Sequence, residues 1–189
     1  MKYPSGIKKV VTNNSNKATI NYGNRGMNLE SDLNITNEYY RDHDIAYIYK
    51  KPTPIKIGTV DYKIMKITEA YFESPSTTDY NGLFNGKYID FEAKETNNKT
   101  LFPIRNIHKH QLTHLENIYK HQGICFIIVR FNKLNETYLL FAKDLFIFIN
   151  NNDTSSIPLD YFKTHGYLLE ENYHPRINYL KVLEKYGGA

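Results

Sequence analysis

Asn85-Gly86 constrains this chain more than any other pair, because both residues tolerate positive φ and together they close a two-residue hairpin turn. Beyond the turn, Tyr88-Ile89-Asp90-Phe91-Glu92-Ala93-Lys94 alternates in character. Successive strand side chains point to opposite faces, so Ile89, Phe91 and Ala93 share one face while Asp90, Glu92 and Lys94 share the other. The apolar set reads as the core-facing side of a half-buried strand. Asp79 to Phe84 is the expected partner strand, folding back so that Asp79 approaches Glu92.

An acid on one strand and Glu-x-Lys on the next form a combination that can hold a cation against a phosphodiester. Mg²⁺ prefers oxygen ligands and keeps several waters, and the Lys94 ammonium would face a phosphate oxygen or the attacking water. The same spacing equally suits the solvated face of an ordinary two-sided strand. Spacing alone leaves both readings open.

The rest of the chain narrows the setting. A length of 189 residues suits a single domain with a sizeable core. With 17 Tyr and 10 Phe, a wholly disordered chain is excluded. Cys125, alone of its kind and inside the apolar run Gly123 to Val129, has no internal disulfide partner and is expected to be buried and inert. No apolar stretch approaches the roughly 18 residues that span a bilayer, and no signal-peptide core follows Met1, so a cytoplasmic protein without membrane contact is expected. The absence of a Gly-rich phosphate cradle argues against a nucleotide cofactor. His110 and His114 stand four apart on an expected helix, but no third ligand follows at a zinc spacing, so exposed or capping histidines are expected.

Charge is distributed unevenly along the chain. Lys2, Lys8, Lys9, Lys17 and Arg25 all precede the first acid, Glu30, giving a basic N-terminal arm over residues 1–25 that is expected to be flexible and to settle on phosphates. A second basic cluster comprises Lys50, Lys51, Lys56, Lys63 and Lys66.

Elsewhere, Asn28 is the expected cap of a helix reaching Arg41, with Leu29, Leu33, Thr36 and Tyr40 on its buried face. Ile45 to Tyr49 reads as a strand stopped by Pro52 and Pro54. Residues 55–73 read as a projecting hairpin with its turn at Gly58 to Asp61. A helix from His110 carries a stripe of Leu112, Leu115, Ile118 and Tyr119 that packs on the sheet. Ile124 to Val129 is the candidate central strand and Thr137 to Phe141 the next. A short helix over Lys143 to Asn150, a loop to Ser156 and a last helix from Ile177 to Lys185 complete the expected elements.

Several blocks resemble, in order and across nearly the whole chain, the RecU-type Holliday junction resolvases: Asn24-Arg25-Gly26-Met27, Lys51-Pro52-Thr53-Pro54, Glu69-Ala70-Tyr71-Phe72, Ser76-Thr77-Thr78-Asp79-Tyr80-Asn81-Gly82, Ile89-Asp90-Phe91-Glu92-Ala93-Lys94-Glu95-Thr96, Gly123-Ile124-Cys125-Phe126 and Pro175-Arg176-Ile177. The resemblance implies an α/β, restriction-endonuclease-like fold: a central mixed β-sheet flanked by helices, with residues 55–73 as a protruding β-hairpin stalk on a single nuclease domain. It also implies a homodimer that cuts four-way DNA junctions symmetrically with Mg²⁺, for which Mn²⁺ can substitute, and that contacts the strand-exchange recombinase. Its metal positions fall on Thr77, Asp79, Glu92 and Gln111, and Lys94 matches the residue credited with stabilising the transition state. Glu30 is a further candidate, as an outer carboxylate. Thr78-Asp79 replaces the Pro-Asp pair of the wider superfamily, as in this family. For DNA contact the expected residues are Lys8, Lys9, Lys17 and Arg25 on the arm, with Lys56, Lys63, Lys66, Tyr71 and Phe72 on the stalk and Tyr62 beside them. The competing readings are a recombinase-regulating DNA-architectural protein with weak nuclease activity and a sequence-specific endonuclease of the same fold.

Overall fold

The computed structural model describes residues 28–73 and 77–186. Lys8, Lys9, Lys17 and Arg25 lie outside the described residues. From the N-terminal side, helix α1 (Leu29–Asp42) is followed by strand β1 (Tyr47–Lys50), the pair β2 (Ile55–Asp61) and β3 (Lys66–Phe72), and the hairpin β4 (Tyr80–Phe84) and β5 (Lys87–Thr96). Then come β6 (Leu101–Pro103), α2 (Lys109–Lys120), β7 (Ile124–Phe131), β8 (Glu136–Phe141) and α3 (Ala142–Asn151). Short β9 (Ser156–Pro158), α4 (Leu159–His165), β10 (Tyr167–Leu168) and α5 (Leu180–Tyr186) follow.

Asn85 and Gly86 both adopt positive φ, 50° and 74°, and the hairpin they close pairs Phe84 with Lys87 and Tyr80 with Phe91. The main sheet runs β1-β4-β5-β7-β8-β10, with β5 and β7 parallel and every other pair antiparallel. Parallel neighbours need a long crossover, and α2 supplies it. Helices therefore cover both faces around β5 and β7. One core layer joins Ile89, Phe91, Phe126 and Ile128 to Leu29, Leu33 and Tyr40 of α1 and Leu183 of α5. The other joins Cys125, Ile127 and Val129 to Leu115 of α2, Leu145 of α3 and Phe162 of α4. Burying an aromatic of this size stabilises by about 1.5–3 kcal/mol, and Phe91 stacks between Tyr80 and Phe126 at 4.9 and 4.8 Å between centroids.

This layering corrects the half-buried strand. Asp90 and Glu92 are each 0% exposed, because α2 lies over the face they occupy and β5 is buried on both sides, as parallel strands are. Smaller differences have local causes. The turn of the outer hairpin lies at Tyr62–Met65, where Asp61 Oδ1 accepts from Lys63 N and Met65 takes φ 51°. Gly58 instead sits within β2 beside a register shift, the usual consequence of a glycine in a strand. Tyr119 is exposed, since the buried stripe of α2 runs through Gln111 and Leu115. The last helix begins at Leu180, as Ile177 is held in a bridge to Glu171 and donates to Thr36 Oγ1 at 3.0 Å. Helix α4 and strands β6, β9 and β10 are too short to show a period in the sequence.

The C-terminal segment is fastened by charge. Asp32 Oδ2 pairs with Arg130 Nη2 at 2.8 Å, its Oδ1 with Arg176 Nη2 at 2.9 Å, and Arg130 reaches Glu171 Oε1 at 3.0 Å. One buried carboxylate thus links α1, β7 and the Pro175-Arg176-Ile177 block.

Candidate active site

Three elements converge beside the far end of β5. β4 stops at Tyr80, opposite Phe91, so the next outward amide of β5 is left open. Asp79 fills the gap, its Oδ2 accepting from Ala93 N at 3.0 Å. Glu92 stands on the α2 side of the same strand. Gln111 Nε2 donates to Glu92 Oε1 at 2.7 Å, and the amide is locked at its other end, where Gln111 Oε1 accepts from His108 N at 2.9 Å. Lys94 also pairs with Glu92 Oε1. Both interactions fall on one oxygen. Glu92 Oε2 is buried and accepts no hydrogen bond from any described residue. A buried carboxylate oxygen is normally satisfied in a folded protein, so Oε2 calls either for a proton shared with the neighbouring Asp79 carboxyl or for a ligand that donates or coordinates.

Burial above all, with the nearby Asp79 carboxyl adding to it and Lys94 pulling the other way, holds the Glu92 carboxyl up at about 7. Two carboxylates whose repulsion is incompletely offset suit a hard divalent cation, which takes oxygen ligands. Among the described residues no three His, Cys, Asp or Glu converge, so the cradle is two carboxylates with the Gln111 amide beside them. A cleft of about 170 Å³ is lined by Asp79, Ala93 and Lys94 together with Asn28 and Glu30, so it reaches the Asp79 side of the cradle while Glu92 and Gln111 stay buried behind it. Glu30 stands at this rim, paired with Lys50. Asn28 caps α1 through Ser31 N at 2.8 Å, and Leu29 N donates to Glu95 Oε1 at 2.7 Å, fixing the rim to β5.

Asp79, Glu92, Lys94 and Gln111 are thus brought together. Thr77 takes another route, its hydroxyl accepting from Lys51 Nζ at 3.0 Å. Lys56, Lys63, Lys66, Tyr71 and Phe72 lie apart, exposed on the β2–β3 hairpin. His110 stacks on His108 at 5.5 Å, whereas His114 corrects the expectation of exposed or capping histidines: its Nε2 lies 3.1 Å from buried Asp90. Cys125 is buried as expected, its thiol pushed up to about 12 by desolvation and away from reactivity. Sequence reasoning does not single out Asp90, Lys51, Thr78 or His114 as site residues. Strand parity with Glu92 and helical spacing from Gln111 point to Asp90 and His114, but nothing local points to Lys51.

The family model for Recombination protein U matches residues 24–185. The chain belongs to the RecU family. It is 52% identical to the Holliday junction resolvase RecU of Geobacillus sp. (strain WCH70), across 97% of this chain and 96% of that protein. Against the Holliday junction resolvase RecU of Bacillus cytotoxicus it is 53% identical across 86% of this chain and 84% of the relative. The mixed sheet with helices on both faces agrees with the architecture the RecU resemblance implied.

Glu92 would have to be ionised to hold a cation, so if this cradle is a divalent-cation site, acidification below about pH 7 should weaken the binding of a probe such as Mn²⁺, and release of a proton should accompany binding. The sign is that of a raised carboxyl: without cation, Glu92 favours the fold at acid pH and the benefit fades as pH rises from its unfolded value through about 7. Calorimetric titration at pH 6 and pH 8 checks this; equal affinity at both would contradict it.

Proposed function

We propose that this protein is a structure-selective endodeoxyribonuclease that resolves Holliday junctions by symmetric, metal-dependent phosphodiester hydrolysis in recombination and DNA repair. The observation that carries the reading is the unsatisfied Glu92 Oε2, buried beside Asp79 and Lys94, two residues that line an open cleft. A divalent cation held by Asp79 and Glu92 would supply Lewis acidity at the phosphodiester, and these oxygen donors suit Mg²⁺, for which Mn²⁺ can substitute. Thr77 would contribute through its carbonyl or a water, since its hydroxyl accepts from Lys51 Nζ, and Gln111 acts through Glu92, since its own oxygen accepts from His108 N. Gln111 holds the Glu92 carboxylate in one orientation through its doubly anchored amide. Lys94, partly exposed, extends into the cleft to orient the attacking water or to meet charge gathering on the phosphoryl oxygens.

Symmetric cutting needs two sites, and a two-fold dimer supplies them. The surface that suits a second copy is the open side of β1, β4 and β5, where Tyr47 (64% exposed), Leu83 (52%) and Tyr88 (37%) form one cross-strand row. Sedimentation of the protein alone should give a dimer; a monomer that stays monomeric on junction DNA would contradict it. Contact with the strand-exchange recombinase and a cytoplasmic location are part of the same reading, on the strength of the family resemblance.

The β2–β3 hairpin is the proposed stalk, with Lys56, Lys63 and Lys66 and the basic arm on junction phosphates and Tyr62, Tyr71 and Phe72 near the crossover. Replacing the three lysines by glutamine should lower the slope of log affinity against log salt by up to roughly 0.9 for each phosphate that is no longer neutralised. An unchanged slope would make them bystanders. Cleavage of a synthetic four-way junction beside linear duplex tests the function as a whole.

A further inference from the structure

A second polar cluster lies one step beneath the cradle, and its hub is Lys51. The Lys51 ammonium donates to Asp90 Oδ2 at 2.6 Å, to Thr78 Oγ1 at 2.7 Å and to Thr77 Oγ1 at 3.0 Å. Its backbone N–H donates to Asp79 O at 2.8 Å. A single residue therefore holds the 77–79 segment by both main chain and side chains. Asp90, fully buried, also receives the hydroxyls of Thr78 and Tyr88 and has His114 Nε2 3.1 Å away, itself 3.3 Å from Lys51 Nζ.

The placement repeats that of the cradle. Asp90 precedes Glu92 by two residues on β5 and shares its face. His114 follows Gln111 by three on α2 and shares its face. Thr77 and Thr78 directly precede Asp79. The three segments that carry Asp79, Glu92 and Gln111 thus each bring another side chain to Asp90 and Lys51, and the ion pair is shielded from solvent screening by burial.

Resting on the cation cradle proposed above, we infer that Lys51 is a positioning residue: clamped on Asp90 with His114, it fixes Asp79, Glu92 and Gln111 relative to one another and so sets the affinity of the cleft for a divalent cation. Nothing in this role requires Lys51 to touch DNA or the reacting phosphate. Partners that orient metal-holding side chains typically change affinity by about 10–100-fold when removed.

The test is Mn²⁺ binding to the whole DNA-free protein, read by the electron paramagnetic resonance of free Mn²⁺, with thermal melting alongside. Wild type, Glu92→Gln, Lys51→Met and the double variant Lys51→Met with Asp90→Asn are compared. Lys51→Met alone strands a buried carboxylate and is expected to melt early; the double variant removes that charge and restores melting towards wild type. The inference predicts that the double variant, though folded, still binds Mn²⁺ about 10-fold or more weakly. Wild-type affinity in the folded double variant, with binding lost in Glu92→Gln, overturns the positioning role and leaves the cradle standing. Wild-type affinity in Glu92→Gln removes the cradle and the inference together.

Discussion

Asp79→Asn should slow junction cleavage by about 1,000-fold or more while leaving junction affinity without metal within about threefold. The substitution is chosen for what it keeps. Asp79 Oδ2 accepts from Ala93 N, the amide left open where β4 ends, and an asparagine oxygen can accept the same bond, so the local fold survives. What disappears is one of the two charges that make the cleft a cation site. Losing a metal-holding carboxylate forfeits several kcal/mol of transition-state stabilisation, and about 4 kcal/mol corresponds to roughly 1,000-fold in rate. Single-turnover cleavage under saturating protein separates this from weakened binding. Normal cleavage by Asp79→Asn would mean that the chemistry lies elsewhere.

Asp32→Ala should destabilise the fold by about 3 kcal/mol, the range found when one partner of a buried ion pair is removed. Asp32 is the buried carboxylate of the network joining α1 to Arg130 of β7 and to Arg176 in the C-terminal segment. Its loss removes from the Arg130 guanidinium, on a residue 7% exposed, its buried counter-charge, with the half-exposed Glu171 carboxylate and the Thr137 hydroxyl still in reach. Arg176 is displaced less severely, since its side chain already reaches solvent. Urea unfolding should show an earlier midpoint at unchanged slope. A shift below about 1 kcal/mol would show that solvent repairs the network, as it does for exposed pairs.

Much of this was legible in the chain because the relevant signals are local. Asn85-Gly86 located the β4–β5 hairpin, Asn28 located the start of α1, and Ile124 to Val129 located the central strand; each depends on dihedral preference or on unbroken burial. Strand parity placed Asp90, Glu92 and Lys94 together. What parity could not say was that α2 covers that face, since coverage is decided by a crossover distant in sequence. Lys51 escaped for the same reason: its bond to Asp90 spans 39 residues. Gln111 had no local signal either, and only the family resemblance drew attention to an amide that the structure places on Glu92 Oε1. The outer hairpin turns at Tyr62–Met65 rather than at Gly58 to Asp61, because Gly58, a turn signal in isolation, is taken up by a register shift within β2.

The central claim is that Asp79, Glu92 and Lys94 form the centre of a junction-selective nuclease, and the most direct test is cleavage of a synthetic four-way junction, with each strand labelled in turn, beside linear duplex of the same sequence in Mg²⁺. The account predicts paired nicks at matching positions on two opposed strands, abolished by a chelator, with linear duplex left intact. Cutting of linear duplex at a fixed sequence, or junction binding with no Mg²⁺-dependent cleavage, would contradict it.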